Sequence, residues 1–295
     1  MTEVGFLRQF AFIILHFAFP DEFVILASRR LMDTESSAPP PLWRLPDGVP
    51  RGVWEYAHRP HIAGDYDEEF ATNTLFDFDE SVLLQNFTRP GVLVDLGCGT
   101  GRALVPFARR GFQCIGVDLS PEFLQLVGEK ATAEGLRIER VRANLIELGC
   151  LADASCDYAV CLFSTLGMIR GRANRLRALE HMRRILKPDG TLVIHVHNRW
   201  HNLRDPQGRR WLLRNLTWER WRGEHEPGDK FFPYRGISNM FLHVYTQGEF
   251  VGELQSAGFT VRELIPLDTV RRHRLPHSWF FGRLRANGWI AVCKL

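Results

Sequence analysis

The sequence predicts an α/β protein with a doubly wound, mostly parallel sheet. Between residues 91 and 197, apolar runs that resemble strands alternate with segments of helical apolar spacing. This alternation implies right-handed crossovers, which place helices on both faces of a parallel sheet. The first run, at residues 91–96, is apolar in the way expected of a strand buried on both faces.

Five strands and three helices account for this region. The predicted strands are residues 91–96, 112–117, 136–141, 157–163 and 191–197. The predicted helices are residues 102–110, 120–135 and 171–186, with a turn at 187–190. Ser120 is the expected N-cap of the second helix, because Pro121 follows it at a position where proline begins helices.

The rest of the chain divides into an extension, a cap, an insertion and a closing unit. Residues 1–50 are expected to be poorly ordered or loosely packed, since the apolar stretch at 10–20 is too short to span a membrane. Residues 51–295 then form one domain, with a helical cap at 51–90 and an insertion or lid at 198–237. Strands are expected at 238–245, 259–265 and 288–294, the last two antiparallel, and a helix at 246–258 begins with a capping box.

Composition limits the class of protein. The chain has 295 residues, 45% of them hydrophobic and 24% charged, and a formal net charge of +3. These values are typical of a globular protein and do not indicate nucleic-acid binding by themselves. Six cysteines without a CxxC pair favour buried thiols in a reducing compartment, and hence a cytoplasmic protein.

A glycine-rich turn follows the first strand of the alternating region. In VLVDLGCGTGR (residues 92–102), glycines occupy positions 97, 99 and 101. A dinucleotide fingerprint, GxGxxG, would need a third glycine where Arg102 or Leu104 stands, and a phosphate-binding P-loop would end in GK[ST]. Neither phosphate motif is present, so the turn is expected to contact something else.

Polar side chains at three successive strand ends indicate what that ligand is. Asp95 precedes the glycines and suits an ammonium group, while Asp118 ends the second strand and can accept from both hydroxyls of a ribose. Asn144 follows the third strand, where its amide could contact the edge of an adenine. An ammonium group, a ribose and an adenine without a phosphate describe S-adenosylmethionine.

The motifs VLVDLGCGTGR, GVDLSPEFL, CDYAVCLFSTLGMI and RRILKPDGTLVIHV resemble, in order and spacing, those of class I S-adenosylmethionine-dependent methyltransferases. The resemblance covers residues 88–197 and the late segment 245–261. It implies a Rossmann-like sheet of seven strands, the last antiparallel, and a methyltransferase that uses S-adenosylmethionine. The cofactor-binding residues it implies are Asp95, Gly97, Cys98, Gly99, Asp118, Leu119, Asn144 and Leu145. Asn144 departs from the family, in which many members carry aspartate.

The sequence identifies no catalytic residue and leaves the methyl acceptor open. Ser164, Thr165, His195 and His197 follow the fourth strand or lie in the fifth, and HxHxxxH (195–201) has no carboxylate at a metal-site spacing, so no metal is expected. A small-molecule acceptor is favoured, with no DNA and no stable membrane insertion. The alternatives are a tRNA wobble-uridine carboxyl methyltransferase, whose phosphates the basic run 271–279 would contact, a non-catalytic binder of S-adenosylmethionine, and a nicotinamide dehydrogenase.

Overall fold

The computed structural model describes residues 24–26, 40–59, 62, 64, 75–219 and 225–295. Its strands are β1 (Val24–Leu26), β2 (Val92–Leu96), β3 (Gln113–Asp118), β4 (Ile138–Arg142), β5 (Cys156–Cys161), β6 (Leu186–His197), β7 (Asp229–Tyr234), β8 (Ile237–His243), β9 (Thr260–Pro266) and β10 (Gly288–Lys294). The main sheet has the order β1-β4-β3-β2-β5-β6-β10-β9, and β7 and β8 form a separate hairpin.

The predicted sheet of seven strands is confirmed. The strands from β4 to β6 run parallel, and β10 lies antiparallel between β6 and β9. A short eighth strand, β1, pairs with β4 at the edge of the sheet. The predicted apolar segment at residues 10–20 lies outside the described residues.

Helices cover both faces of the sheet. They are α1 (Arg51–Ala57), α2 (Leu75–Asn86), α3 (Leu104–Ala108), α4 (Pro121–Ala133), α5 (Arg172–Ile185), α6 (Pro206–Arg214), α7 (Gln247–Ser256) and α8 (Gly282–Arg285). Two predicted caps are present: Ser120 accepts from the Phe123 amide, and Thr246 and Glu249 form a capping box. Among the described helices, none is both long and apolar enough to cross a membrane.

Two apolar layers form the core, one on each face of the sheet. Leu93 and Val193 belong to the layer that packs against α2, α3 and α4. Leu96 and Ile194 belong to the layer that packs against α5 and α7. Successive strand residues point to opposite faces, so a strand with apolar residues of both parities is buried on both sides, as the sequence pattern predicted.

Two predicted elements differ in the structure. Residues 187–190, expected as a turn, lie within β6, where the pairing register shifts between Leu186 and Thr191. This irregularity accommodates Pro188, which cannot donate a ladder hydrogen bond. The strand expected at 238–245 is β8, and it pairs with β7 rather than with the main sheet. Alternation predicts a strand but carries no information about its partner.

Candidate functional site

A cavity opens at the carboxyl ends of the parallel strands. The eight residues predicted to bind a ligand all line it: Asp95, Gly97, Cys98, Gly99, Asp118, Leu119, Asn144 and Leu145. They come from the segments that follow β2, β3 and β4, which are adjacent in the sheet. Open α/β sheets bind ligands in the crevice at this edge, because the loops that follow neighbouring strands converge there.

The glycines of the turn after β2 have positive φ angles. The values are +85° at Gly97, +49° at Gly99 and +79° at Gly101, in the region that other residues occupy at a cost. A Cβ on Gly97 would lie 2.4 Å from Cγ2 of Thr165, whereas one on Gly99 would meet no atom within 4 Å. Gly97 is therefore required by packing within the protein, and Gly99 leaves open space at the cavity wall.

Asp118 supports the glycine turn. Its Oδ2 accepts a hydrogen bond from the Gly99 amide at 2.9 Å, and its Oδ1 accepts one from the Ser120 amide at 2.9 Å. Burial raises the pKa of Asp118, and the backbone donors oppose that shift. Each oxygen keeps a second lone-pair direction for a ligand donor such as a hydroxyl group.

Asp95 is the most desolvated acid on the cavity wall. It is 4% exposed, and no described residue donates a hydrogen bond to its carboxyl group. Burial and the nearby Asp118 raise the pKa of Asp95 to about 8. A carboxyl group in this state gains most from a cationic ligand, because the cation restores the ionised form and supplies the missing donors.

Asn144 and Cys98 make contacts that limit their roles. The Asn144 amide nitrogen donates to the Asp47 carbonyl at 3.0 Å, and its Oδ1 accepts from the Ile146 amide at 3.4 Å. This geometry joins the strand end to the segment before α1. Burial raises the pKa of the Cys98 thiol, so the thiol stays protonated and is a poor nucleophile.

Other walls of the cavity come from segments that the sequence did not single out for binding. Tyr56 in α1, Asp79 in α2 and Met168 after β5 all line it. Asp79 forms a buried ion pair with Arg271, across 192 positions of the chain. Neither residue belongs to a motif, so the sequence alone offered no signal for the pair.

The predicted histidines lie outside the cavity lining. His195 is fully buried, and neither ring nitrogen has a hydrogen-bond partner among the described residues. Burial and the nearby Arg271 charge lower the pKa of both His195 and His197, the latter to about 3. Both rings are therefore neutral at physiological pH, and they pack perpendicular to each other at 4.9 Å.

Ser164 and Thr165 stabilise the turn after β5. Ser164 Oγ accepts from the His197 amide at 3.2 Å, and Thr165 Oγ1 donates to the Leu162 carbonyl at 2.9 Å. Phe163 and Ser164 have φ angles of +54° and +63°, which is a strained conformation for residues other than glycine. The turn presents Phe163 and Thr165 at the cavity wall.

A buried charge network joins the segment 198–243 to the main fold. Arg175 in α5 is fully buried and donates to Glu253 and to Glu226, both at 2.9 Å. Among the described residues, Glu226, Asp229 and His243 could hold a metal ion by proximity. However, both ring nitrogens of His243 already bond to carboxylates, Asp229 at 2.8 Å and Glu249 at 2.9 Å. The group is better described as part of an ion-pair network.

The basic run at 271–279 is only partly available to an external anion. Arg271 is 6% exposed and points inward to Asp79, and Arg274 forms an ion pair with Glu263. Arg272 and His273 are exposed. The predicted contact surface therefore loses its first arginine, because that guanidinium belongs to the cavity wall.

Comparisons with known proteins agree with this geometry. A family model described as a methyltransferase domain matches residues 94–194. A putative methyltransferase of Geobacillus sp. (strain WCH70) is 32% identical over 117 residues, 39% of this chain and 47% of that protein. The chain spans about half the length of the curated relatives it matches.

Two solved structures share the fold. A methyltransferase of Methanosarcina mazei described as SAM-dependent has a TM-score of 0.58 at 21% identity, over 72% of this chain and 96% of that one. The 1,6-didemethyltoxoflavin-N1-methyltransferase of Burkholderia thailandensis has a TM-score of 0.51 at 18% identity, over 80% and 90%. The strand order, the glycine turn and the family-model match agree, and the chain belongs to the class I S-adenosylmethionine-dependent methyltransferases.

Proposed function

We propose that this protein transfers a methyl group from S-adenosylmethionine to a nitrogen or oxygen atom of a small, largely apolar acceptor. The observation that carries the proposal is the convergence of Asp95, the glycine turn and Asp118 on one cavity. Their donor and acceptor chemistry fits the cofactor: a desolvated carboxyl for an ammonium group, and a carboxylate with free lone pairs for a ribose.

Each predicted residue has a defined task in this proposal. Asp95 and the backbone of Gly97–Gly99 hold the amino-acid end of the cofactor. Asp118 and Leu119 hold the ribose and one side of the adenine, and Asn144 and Leu145 contact the adenine from the end of β4. Cys98 contributes its backbone, since its thiol is protonated.

The cofactor brings an already activated methyl group, so the protein's task is alignment and exclusion of water. The strained turn after β5 presents Phe163 and Thr165 next to the glycine turn, because Thr165 packs against Gly97. Apolar side chains from α1 and α2, Val53 and Leu83 among them, complete the wall and keep water from the reacting atoms.

A small acceptor is favoured over tRNA by two observations. The cavity is enclosed by apolar side chains from α1, α2 and the turn after β5, and Arg271 is used inside the protein. The Burkholderia thailandensis enzyme that shares this fold is described as acting on 1,6-didemethyltoxoflavin, a small molecule. Salt-dependent tRNA binding at low ionic strength would instead favour the RNA alternative.

Calorimetry tests the cofactor and the role of Asp95 together. We expect S-adenosylmethionine and S-adenosylhomocysteine to bind and NAD not to bind. Because the pKa of Asp95 is about 8 in the free protein, its carboxyl is mostly protonated at pH 7, and pairing with an ammonium group ionises it. Binding should then release close to one proton at pH 7.

The proton count comes from repeating the titration in buffers of different ionisation enthalpy. The Asp95→Asn variant should release none, and wild-type release should decline above pH 8, where Asp95 is already ionised. Binding of NAD alone would contradict the proposed function. Cofactor binding without proton release would contradict only the role of Asp95.

Gly99→Ala tests the close approach of the ligand to the turn. The new methyl group meets no protein atom within 4 Å, so the fold should persist with a cost of about 1 kcal/mol from the positive φ. Affinity for S-adenosylhomocysteine should fall by about tenfold or more, a loss of about 1.4 kcal/mol or more. Gly135→Ala is the matched control, since Gly135 also has a positive φ and open space but lies away from the cavity. Equal affinities in the two variants would contradict the proposed contact.

A further inference from the structure

An ion pair lies on the cavity wall that no cofactor contact requires. Asp79 in α2 is 2% exposed and lines the cavity, and its Oδ2 accepts from Nη2 of Arg271 at 3.1 Å. The Arg271 guanidinium lies 4.6 Å from the centre of the Phe163 ring. Asp79 is thereby fixed next to the turn after β5, where Phe163 also faces the cavity.

One oxygen of this pair is unsatisfied. Oδ1 of Asp79 is closed to solvent and accepts no hydrogen bond from the described part of the chain. Burial raises the pKa of Asp79 to about 6, although the Arg271 charge acts in the opposite direction. Buried ion pairs with unsatisfied atoms are costly, and apolar replacements are often neutral or stabilising. An incomplete pair on a cavity wall therefore indicates a ligand that completes it.

Backbone strain concentrates at the same place. Phe163, Ser164 and Arg271 have φ angles of +54°, +63° and +60°, and none of them is glycine. Strained residues persist where the surrounding structure fixes a functional geometry. Here the strain holds the Phe163 ring and the Arg271 guanidinium against each other, and through Arg271 it orients Asp79.

The surroundings limit the chemistry of the ligand. Leu83, Leu162 and Phe107 line the cavity on the sheet side of α2, and all are buried apolar residues. The other acid of α2 on the cavity wall is Glu80, which is more exposed and pairs with Arg110 at 3.4 Å. An acceptor that fits is apolar over most of its surface and donates one hydrogen bond to Asp79.

We propose that Asp79 binds the nucleophilic group of the acceptor and removes its proton, and that this group is the N–H of an amine or the O–H of a phenol. This inference rests on the proposed methyl transfer. An N–H or O–H bond breaks, its electron pair stays on the nucleophile, and the proton binds Oδ1 of Asp79. Arg271 is a positioning residue, because it holds Oδ2 and leaves Oδ1 to the acceptor.

Binding of small probes to the protein saturated with S-adenosylhomocysteine tests this role without knowledge of the natural acceptor. The probes are 2-phenylethylamine, 4-ethylphenol and ethylbenzene, which share an apolar body and differ in the donor group. We expect at least one donor probe to bind more tightly than ethylbenzene. Which of the two does so identifies the nucleophile as an amine or a phenol.

The variants separate Asp79 from its surroundings. Asp79→Asn should reduce the preference for the donor probe by about tenfold or more, the scale of a hydrogen bond to a charged group, and leave affinity for S-adenosylhomocysteine unchanged. Glu80→Gln, on the same helix and cavity wall, should keep the preference. If Asp79→Asn unfolds, the double variant Asp79→Leu with Arg271→Leu removes both charges and should fold, bind the cofactor product and lose the preference.

Three results would overturn the inference. They are the absence of a donor preference in the wild-type protein, an equal loss in Glu80→Gln, and loss of S-adenosylhomocysteine affinity in a folded Asp79 variant, which would assign Asp79 to the cofactor. Failure of the wild-type protein to bind S-adenosylhomocysteine is a different outcome, because it contradicts the proposed function itself.

Discussion

Asp118→Ala is expected to weaken binding of S-adenosylmethionine by roughly 1.5–3 kcal/mol, or about 10-fold to 150-fold. The substitution removes the acceptor proposed for the ribose hydroxyls. It also removes the oxygens that accept from the Gly99 and Ser120 amides, so the glycine turn loses its support at the same time. Isothermal titration with S-adenosylhomocysteine measures the loss directly.

Two controls make the result specific. Asp153→Ala removes an exposed acid that pairs with Arg184 on the surface, and it should leave the affinity unchanged. Asp118→Asn keeps the size of the side chain and one acceptor oxygen, so it should lose less affinity than alanine does. An Asp118→Ala protein that is folded and binds the cofactor as tightly as wild type would show that this acid serves only the backbone.

Glu253→Ala is expected to lower the free energy of unfolding by about 3–5 kcal/mol, the cost of leaving a buried charge without its partner. Arg175 is fully buried, and Glu253 accepts from it with both oxygens, at 2.9 and 3.3 Å. Only Glu226 would remain opposite Arg175 among the carboxylates bonded to it, and that residue is partly exposed. Denaturant unfolding followed by circular dichroism measures the change.

Glu134→Ala is the matched control for this prediction. Glu134 accepts two hydrogen bonds from Arg109 at 2.6 Å, a shorter contact than the one in the buried pair. Both side chains are on the surface, where water screens their attraction, so the variant should unfold almost as wild type does. Similar losses in the two variants would mean that burial does not determine the strength of these pairs.

The sequence predicted the cofactor end of the cavity well because its residues follow directly from strand ends. Asp95 and Asp118 end β2 and β3, and these strands are adjacent in the sheet. Since the carboxyl ends of parallel strands meet at one edge, the spacing along the chain was enough to bring the acids together. The capping residues Ser120 and Thr246 were predictable for a similar reason, because their partners lie within three residues.

The acceptor end could not be predicted in this way. Asp79 and Arg271 meet only because α2 and the loop after β9 pack at the same edge, and local spacing carries no record of that contact. The same limit applies to β8, whose partner is the preceding strand and not the sheet. His195 illustrates the opposite error: its position in β6 suggested chemistry, while its ring is buried away from the cavity.

The position of β10 has a consequence for biosynthesis. This strand is made after every other strand of the sheet, yet it lies inside the sheet, pairing Gly288 with His197 on one side and Ile290 with Ile265 on the other. Until residue 288 leaves the ribosome, β9 has no neighbour in the sheet and β6 presents an open edge. Open strand edges are sites of intermolecular association, so a nascent chain paused before residue 288 is the form of this protein most in need of a chaperone.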